Sequence, residues 1–204
     1  MTRTKKIVYI LIIVVALGLI AYLVMTNLVG KTPTSPVSEV ATSTVSKVVL
    51  PVPNLDRPVV FPAGTDPIIQ AANSQKIQEL IADLKVNPNF AERWLALGIY
   101  RKGNQDYVGA KEAWEYAVAL DPGASVYYGN LANLYSMYLN DPIKAEANYL
   151  KAIELDPAMS YLYFQTANFY LEVLKDKAKA RAIIEKGIAQ NLGDQSLLDL
   201  LKSI

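Results

Sequence analysis

The side chains able to do chemistry here are hydroxyls, amines, guanidines, carboxylates and carboxamides, because the 204 residues include no histidine and no cysteine. That removes the commonest general base near neutral pH and the commonest metal ligand. It also excludes thiolate catalysis, Cys/His zinc sites and disulfides, so stability must come from packing. The remaining nucleophiles and bases are Ser, Lys, Tyr and carboxylates, and no spacing brings them together as a reacting set. No enzymatic activity, cofactor or metal is expected. What recurs instead is a set suited to binding: Asn130 and Gln165 are 35 residues apart, as are Asn133 and Asn168. A carboxamide offers donor and acceptor together, which matches the backbone of an extended ligand. Ile99, Met137, Tyr161 and Phe164 flank these amides, pointing to a partly apolar peptide. The bland alternative is that the amides solvate a polar helix face.

The elements that would position these residues emerge from an internal repeat. Trp94, Leu97 and Gly98 fall at i, i+3 and i+4, and are followed by Tyr107, Ala110, Trp114, Ala117 and Leu120-Asp121-Pro122. The frame recurs with Tyr128, Leu131, Ala132, Tyr135, Ala145, Tyr149, Ala152 and Leu155-Asp156-Pro157. A weaker third copy runs Tyr163, Thr166, Ala167, Tyr170, Ala180, Ile184 and Gly187. The spacing is 34 residues from Trp94 to Tyr128 and 35 from Tyr128 to Tyr163, the extra residue falling near Asn140-Asp141-Pro142. Each copy predicts two helices, with small residues where they cross and aromatics between units. One such hairpin cannot bury its apolar face alone, so the copies must stack. Residues 69–87 place Ile77, Leu80, Ile81 and Leu84 at helical spacing as an N-terminal cap. Residues 194–204, opened by Asp194, form a C-terminal cap carrying Leu197, Leu198, Leu200, Leu201 and Ile204.

This pattern resembles the tetratricopeptide repeat family over about half of the chain. The resemblance implies an all-α helical solenoid over residues 68–204, with repeats at about 91–124, 125–159 and 160–193. It further implies a concave groove, lined by the first helix of each unit, that takes a peptide or helix from another protein. Helix geometry puts Glu92, Leu95, Ile99 and Lys102 on that face in the first unit, opposite the Trp/Leu stripe. Val126, Asn130, Asn133 and Met137 follow in the second unit, and Tyr161, Phe164, Gln165, Asn168 and Leu171 in the third. The family's chaperone-binding members use a Lys/Arg/Asn clamp for a terminal carboxylate. Only Asn130 matches it, while Leu95, Ile99, Tyr161 and Gln165 stand where Lys, Asn, Lys and Arg would be wanted, so that ligand is not expected.

Upstream of the repeats the chain changes character. Residues 7–25 hold nineteen positions without a charge; at about 1.5 Å per residue they span nearly 30 Å, enough to cross a bilayer. A transmembrane helix over residues 7–29 is expected, with Tyr9 and Tyr22 near its ends. The alternative, a cleaved signal peptide, has a shorter apolar region and small residues at its cleavage site, which Leu28-Val29-Gly30 supplies poorly. Arg3, Lys5 and Lys6 in the segment 1–6 outnumber Lys31 on the far side, which predicts a cytoplasmic N-terminus and an extracytoplasmic repeat domain in a bacterial cell membrane. An organellar outer membrane would break that inference.

Residues 30–67 read as a flexible Pro/Ser/Thr-rich linker, since 31–67 contain seven of the eleven prolines and nine Ser/Thr. Val48 to Pro53 and Val59 to Pro62 are apolar enough that a docked strand is the minority alternative. Net charge is +1, and residues 68–204 carry fourteen Lys/Arg against sixteen Asp/Glu, so a nucleic-acid partner is not expected. The expected role is a membrane-anchored interaction scaffold. The alternative is a structural component that self-associates through the C-terminal helix.

Overall fold

The computed structural model describes residues 51–204, and every regular element in them is helical. The helices are α1 (Pro67–Val86), α2 (Ala91–Gly103), α3 (Tyr107–Leu120), α4 (Ser125–Met137), α5 (Pro142–Leu155), α6 (Ser160–Asn168, continued by a π-helical turn over Phe169–Val173), α7 (Lys177–Gln190) and α8 (Gln195–Ser203). Helices α2–α3, α4–α5 and α6–α7 are three hairpins stacked in sequence, with α1 and α8 packed on the two ends. The transmembrane helix expected over residues 7–29 lies outside the described residues. Among the described residues no helix is long and apolar enough to cross a membrane.

Local chemistry sets the helix ends. Asp106, Asp141, Asp176 and Asp194 each accept a backbone N–H from three residues on, capping α3, α5, α7 and α8. The aromatic residue opening each repeat is tied to the preceding turn by its polar atom. Trp94 Nε1 donates to the Pro88 carbonyl at 2.7 Å, Tyr128 Oη to Pro122 at 3.3 Å and Tyr163 Oη to Pro157 at 3.0 Å. These positions therefore need an amphipathic ring, apolar against the neighbouring helix and hydrogen-bonding at its tip.

The extra residue of the second and third copies is absorbed where the first helix of the hairpin ends. In the first hairpin the Asp106 N–H donates to the Arg101 carbonyl, whereas Asp141 reaches Tyr135 and Asp176 reaches Tyr170, one residue further back. Gln105, Asn140 and Lys175, each directly before the capping aspartate, are the non-glycine residues at positive φ among the described residues (65°, 50° and 55°). That conformation costs an L-residue with a Cβ about 1 kcal/mol. Lys175→Gly is accordingly expected to raise stability by about 1 kcal/mol in urea unfolding. Its exposed pairing with Glu172 at 3.2 Å contributes little to offset this.

Residues 51–66 differ from the flexible linker expected to run as far as residue 67. Pro53, Leu55, Arg57 and Val59 are partly buried and alternate with exposed neighbours, the period of an extended chain with one face on a surface, and Phe61 and Pro62 are partly buried after them. Leu55 and Val59 join the core formed by Ile77, Leu80, Leu84, Trp94 and Leu97. Arg57 forks onto Glu112 at 2.8 and 2.9 Å and reaches Asp106 at 3.5 Å, and Asp56 pairs with Lys85 at 2.7 Å. Proline suits such a strap because an extended chain lying on side chains needs no backbone N–H of its own.

Candidate functional site

The first helices of the hairpins, α2, α4 and α6, present their outward faces to a common groove containing two adjoining hollows. One, of about 330 Å³, is lined by Lys102, Val126, Asn130, Asn133, Tyr161 and Gln165, with Met159 and Leu162 at its side. The other, of about 300 Å³, runs along Asn133, Met137, Tyr149, Phe164, Asn168 and Val173. Asn133, Tyr161 and Gln165 border both. Nine of the eleven candidate residues thus fall together. Leu95 and Ile99 line neither hollow. Leu95 is half-buried between both core clusters, and its carbonyl accepts Trp114 Nε1 at 3.0 Å; Ile99 is 50% exposed, outside them.

Apolar and polar groups are unequally available in this groove. Met137 is 63% exposed and Tyr161 61%, large apolar surfaces left open among the described residues. The amides are partly spent. Asn130 Nδ2 donates to the Val126 carbonyl at 2.8 Å, and Gln165 Nε2 donates to the Tyr161 hydroxyl at 2.8 Å. Each keeps its carboxamide oxygen for a ligand N–H. Asn133 Oδ1 accepts from Lys102 Nζ at 2.8 Å. The same amide stabilises the Tyr149 phenolate side, but burial dominates and pushes that hydroxyl up to about 12. Tyr149 is therefore a neutral, buried floor to the groove. Burial pulls the Lys102 ammonium below its ordinary value.

Several contributors escaped the helical-face argument. Tyr149 comes from the second helix of its hairpin, and Phe169, Glu172 and Val173 come from the π-helical turn ending α6. The wider turn redirects these last residues toward the groove; the 35-residue spacing marks where a residue is added but not which way the added turn opens. Among the described residues, no group of three or more acidic side chains is placed to hold a metal ion.

No family model matches the sequence and no curated protein is found similar to it. Solved structures are similar in fold. The crystal structure of MamA superposes with a TM-score of 0.55 at 21% identity, over 71% of this chain and 89% of that one. The Arabidopsis OM64 TPR domain superposes with a TM-score of 0.47 at 18% identity, over 55% of this chain and 92% of that one. The chain has a tetratricopeptide-like fold: a solenoid of antiparallel helical hairpins.

Proposed function

We propose that this protein is a membrane-anchored interaction scaffold whose groove, on α2, α4 and α6, holds a segment of a partner protein. The observation that carries this reading is the continuity of the two hollows, which bring exposed Met137 and Tyr161 beside unspent amide oxygens. Apolar anchors with hydrogen-bonding groups between them suit an extended peptide. The membrane part of the proposal rests on the charge-free run of residues 7–25 and the basic residues before it, which would put the repeat domain on the extracytoplasmic face of a bacterial membrane. Such a tether would confine the partner near that surface, as in assembly of an envelope complex. Self-association through the C-terminal helix is less favoured. Leu197 on α8 is fully buried and Leu200, Leu201 and Ile204 are partly buried against the solenoid core, which leaves less of that apolar face for a second copy.

The test is site-specific photo-crosslinking in cells with the full-length chain. A crosslinker at Met137 or Tyr161 is expected to give a discrete protein adduct, weakened by Asn133→Ala or Asn168→Ala. Val86 and Ile143 serve as controls, since they are still more exposed, at 88% and 81%, and line neither hollow. Equal adducts at all four positions would reject a specific groove.

A further inference from the structure

Like Lys111, Lys177 and Lys186, Lys102 has no ion pair among the described residues, and of these four it is the one that lines the groove. Lys76, Lys85, Lys144, Lys151, Lys175, Lys179 and Lys202 each lie within ion-pair distance of an Asp or Glu. Lys102 is half-buried in the groove wall, yet its Nζ bonds a neutral carboxamide, Asn133 Oδ1, at 2.8 Å. Among the described residues its other organised contact is the Tyr138 ring, 5.5 Å from Nζ to the centroid. Burial lowers its pKa with no carboxylate acting in the opposite sense. An ammonium carries three donors, so after Asn133 two remain for the hollow. The acidic group lining the groove, Glu172, belongs to the other hollow and pairs with Lys175. One hollow thus holds a cation and no carboxylate, while the other carries Met137, Phe164 and Val173 with Glu172 among its lining.

We propose that Lys102 is the acid-recognising position of this groove. The partner is an extended segment that seats a side-chain carboxylate on the Lys102 ammonium and a large apolar side chain against Met137, Tyr161 and Phe164. This rests on the groove being the binding surface. The carboxylate would supply the counter-charge that the fold withholds, through a charge-assisted hydrogen bond in a partly desolvated place. Asn133 orients the ammonium by accepting from it at 2.8 Å.

The probe is a random heptapeptide display library with the peptides' C-termini fused, so that only side chains supply carboxylates. It is selected in parallel on immobilised full-length protein, on Lys102→Met and on the double variant Met137→Ser/Tyr161→Ser. Met137 and Tyr161 are both mainly exposed, so the double variant keeps its core. The wild-type chain is expected to enrich peptides with Asp or Glu at a fixed separation from a large apolar residue. The best of them should lose about tenfold or more in affinity on Lys102→Met, the range for a hydrogen bond to a charged group. Selection on Lys102→Met should retain the apolar preference and lose the acidic one. Apolar peptides without an acid, still dependent on Met137 and Tyr161, would overturn the Lys102 assignment and leave the groove standing. Peptides indifferent to Met137 and Tyr161 would overturn the groove itself. Replacing the acid by its amide in a synthetic peptide with a free C-terminus closes the remaining route: undiminished, Lys102-dependent binding would transfer the carboxylate to a chain end and overturn the side-chain proposal.

Discussion

Asp106→Ala is expected to destabilise the protein by about 3–5 kcal/mol, the cost of stripping a buried charge of its partner. Asp106 has two tasks. Its Oδ1 caps α3 by accepting from the Gly109 N–H at 2.9 Å. Its Oδ2 lies 3.4 Å from Arg101 Nη1, and Arg57 Nη1 lies 3.5 Å from Oδ1. Arg101 is only 5% exposed, and burial pulls its guanidinium below the ordinary value against the attraction of Asp106. Without the carboxylate, two guanidinium groups share a half-closed space with only Glu112 near them. The equivalent residue of the third hairpin separates the two tasks. Asp176 caps α7 through Lys179 but has a tyrosine, Tyr170, where the first repeat has Arg101. Asp176→Ala should therefore cost about 1 kcal/mol, the cap alone. Urea unfolding of the two variants checks this, and equal losses would assign the whole effect to capping. The strap should also be loosened in Asp106→Ala, visible as faster chymotryptic cleavage after Leu55, since Pro58 blocks tryptic cleavage after Arg57.

The second large effect is expected at a helix crossing. A methyl group added at Gly98 would lie 2.6 Å from Cδ1 and 2.7 Å from Cε2 of Trp114, a fully buried indole fixed by its hydrogen bond to Leu95. A rigid ring in a closed core cannot move aside, so Gly98→Ala should cost about 3 kcal/mol, at the upper end of ordinary overpacking. Ala132 and Ala167 occupy the same register in the later repeats, where Tyr149 and Ile184 replace Trp114. The smallest residue thus meets the largest ring, and volume is conserved across the pair. Gly98→Ala combined with Trp114→Tyr should lose at least about 1 kcal/mol less than the two single losses added together. Additivity in the urea midpoints would show that the two sites do not share the space.

Much of the solenoid was legible before any coordinates, because its determinants are local. An aspartate three residues before a free N–H caps a helix whatever surrounds it, and a proline ends the preceding helix by its fixed φ. The 34- and 35-residue spacings placed Trp94, Tyr128 and Tyr163 in one register. The residues near Asn140 correctly mark the longer turn. The groove was legible in part: nine of the eleven residues share a face because helix periodicity is a property of the backbone. Leu95 lies against both core clusters instead, because the period cannot tell a groove edge from a core edge.

Tertiary structure decided the rest, in part through partners distant in the chain. Arg57 meets Glu112 across 55 positions, so proline content marked residues 51–66 as extended without revealing that alternate residues lie on the solenoid. A separation of 49 positions likewise hid the contact of Arg57 with Asp106. The amides presented a similar limit. Sequence supplied four carboxamides on one face, but only their geometry showed Asn130 and Gln165 partly satisfied by their own helices and Asn133 committed to Lys102. Local propensity and capping determine where helices begin, end and point. Which hydrogen-bonding capacity and which charge remain unspent depends on contacts between chain segments, and this decides what the surface can recognise.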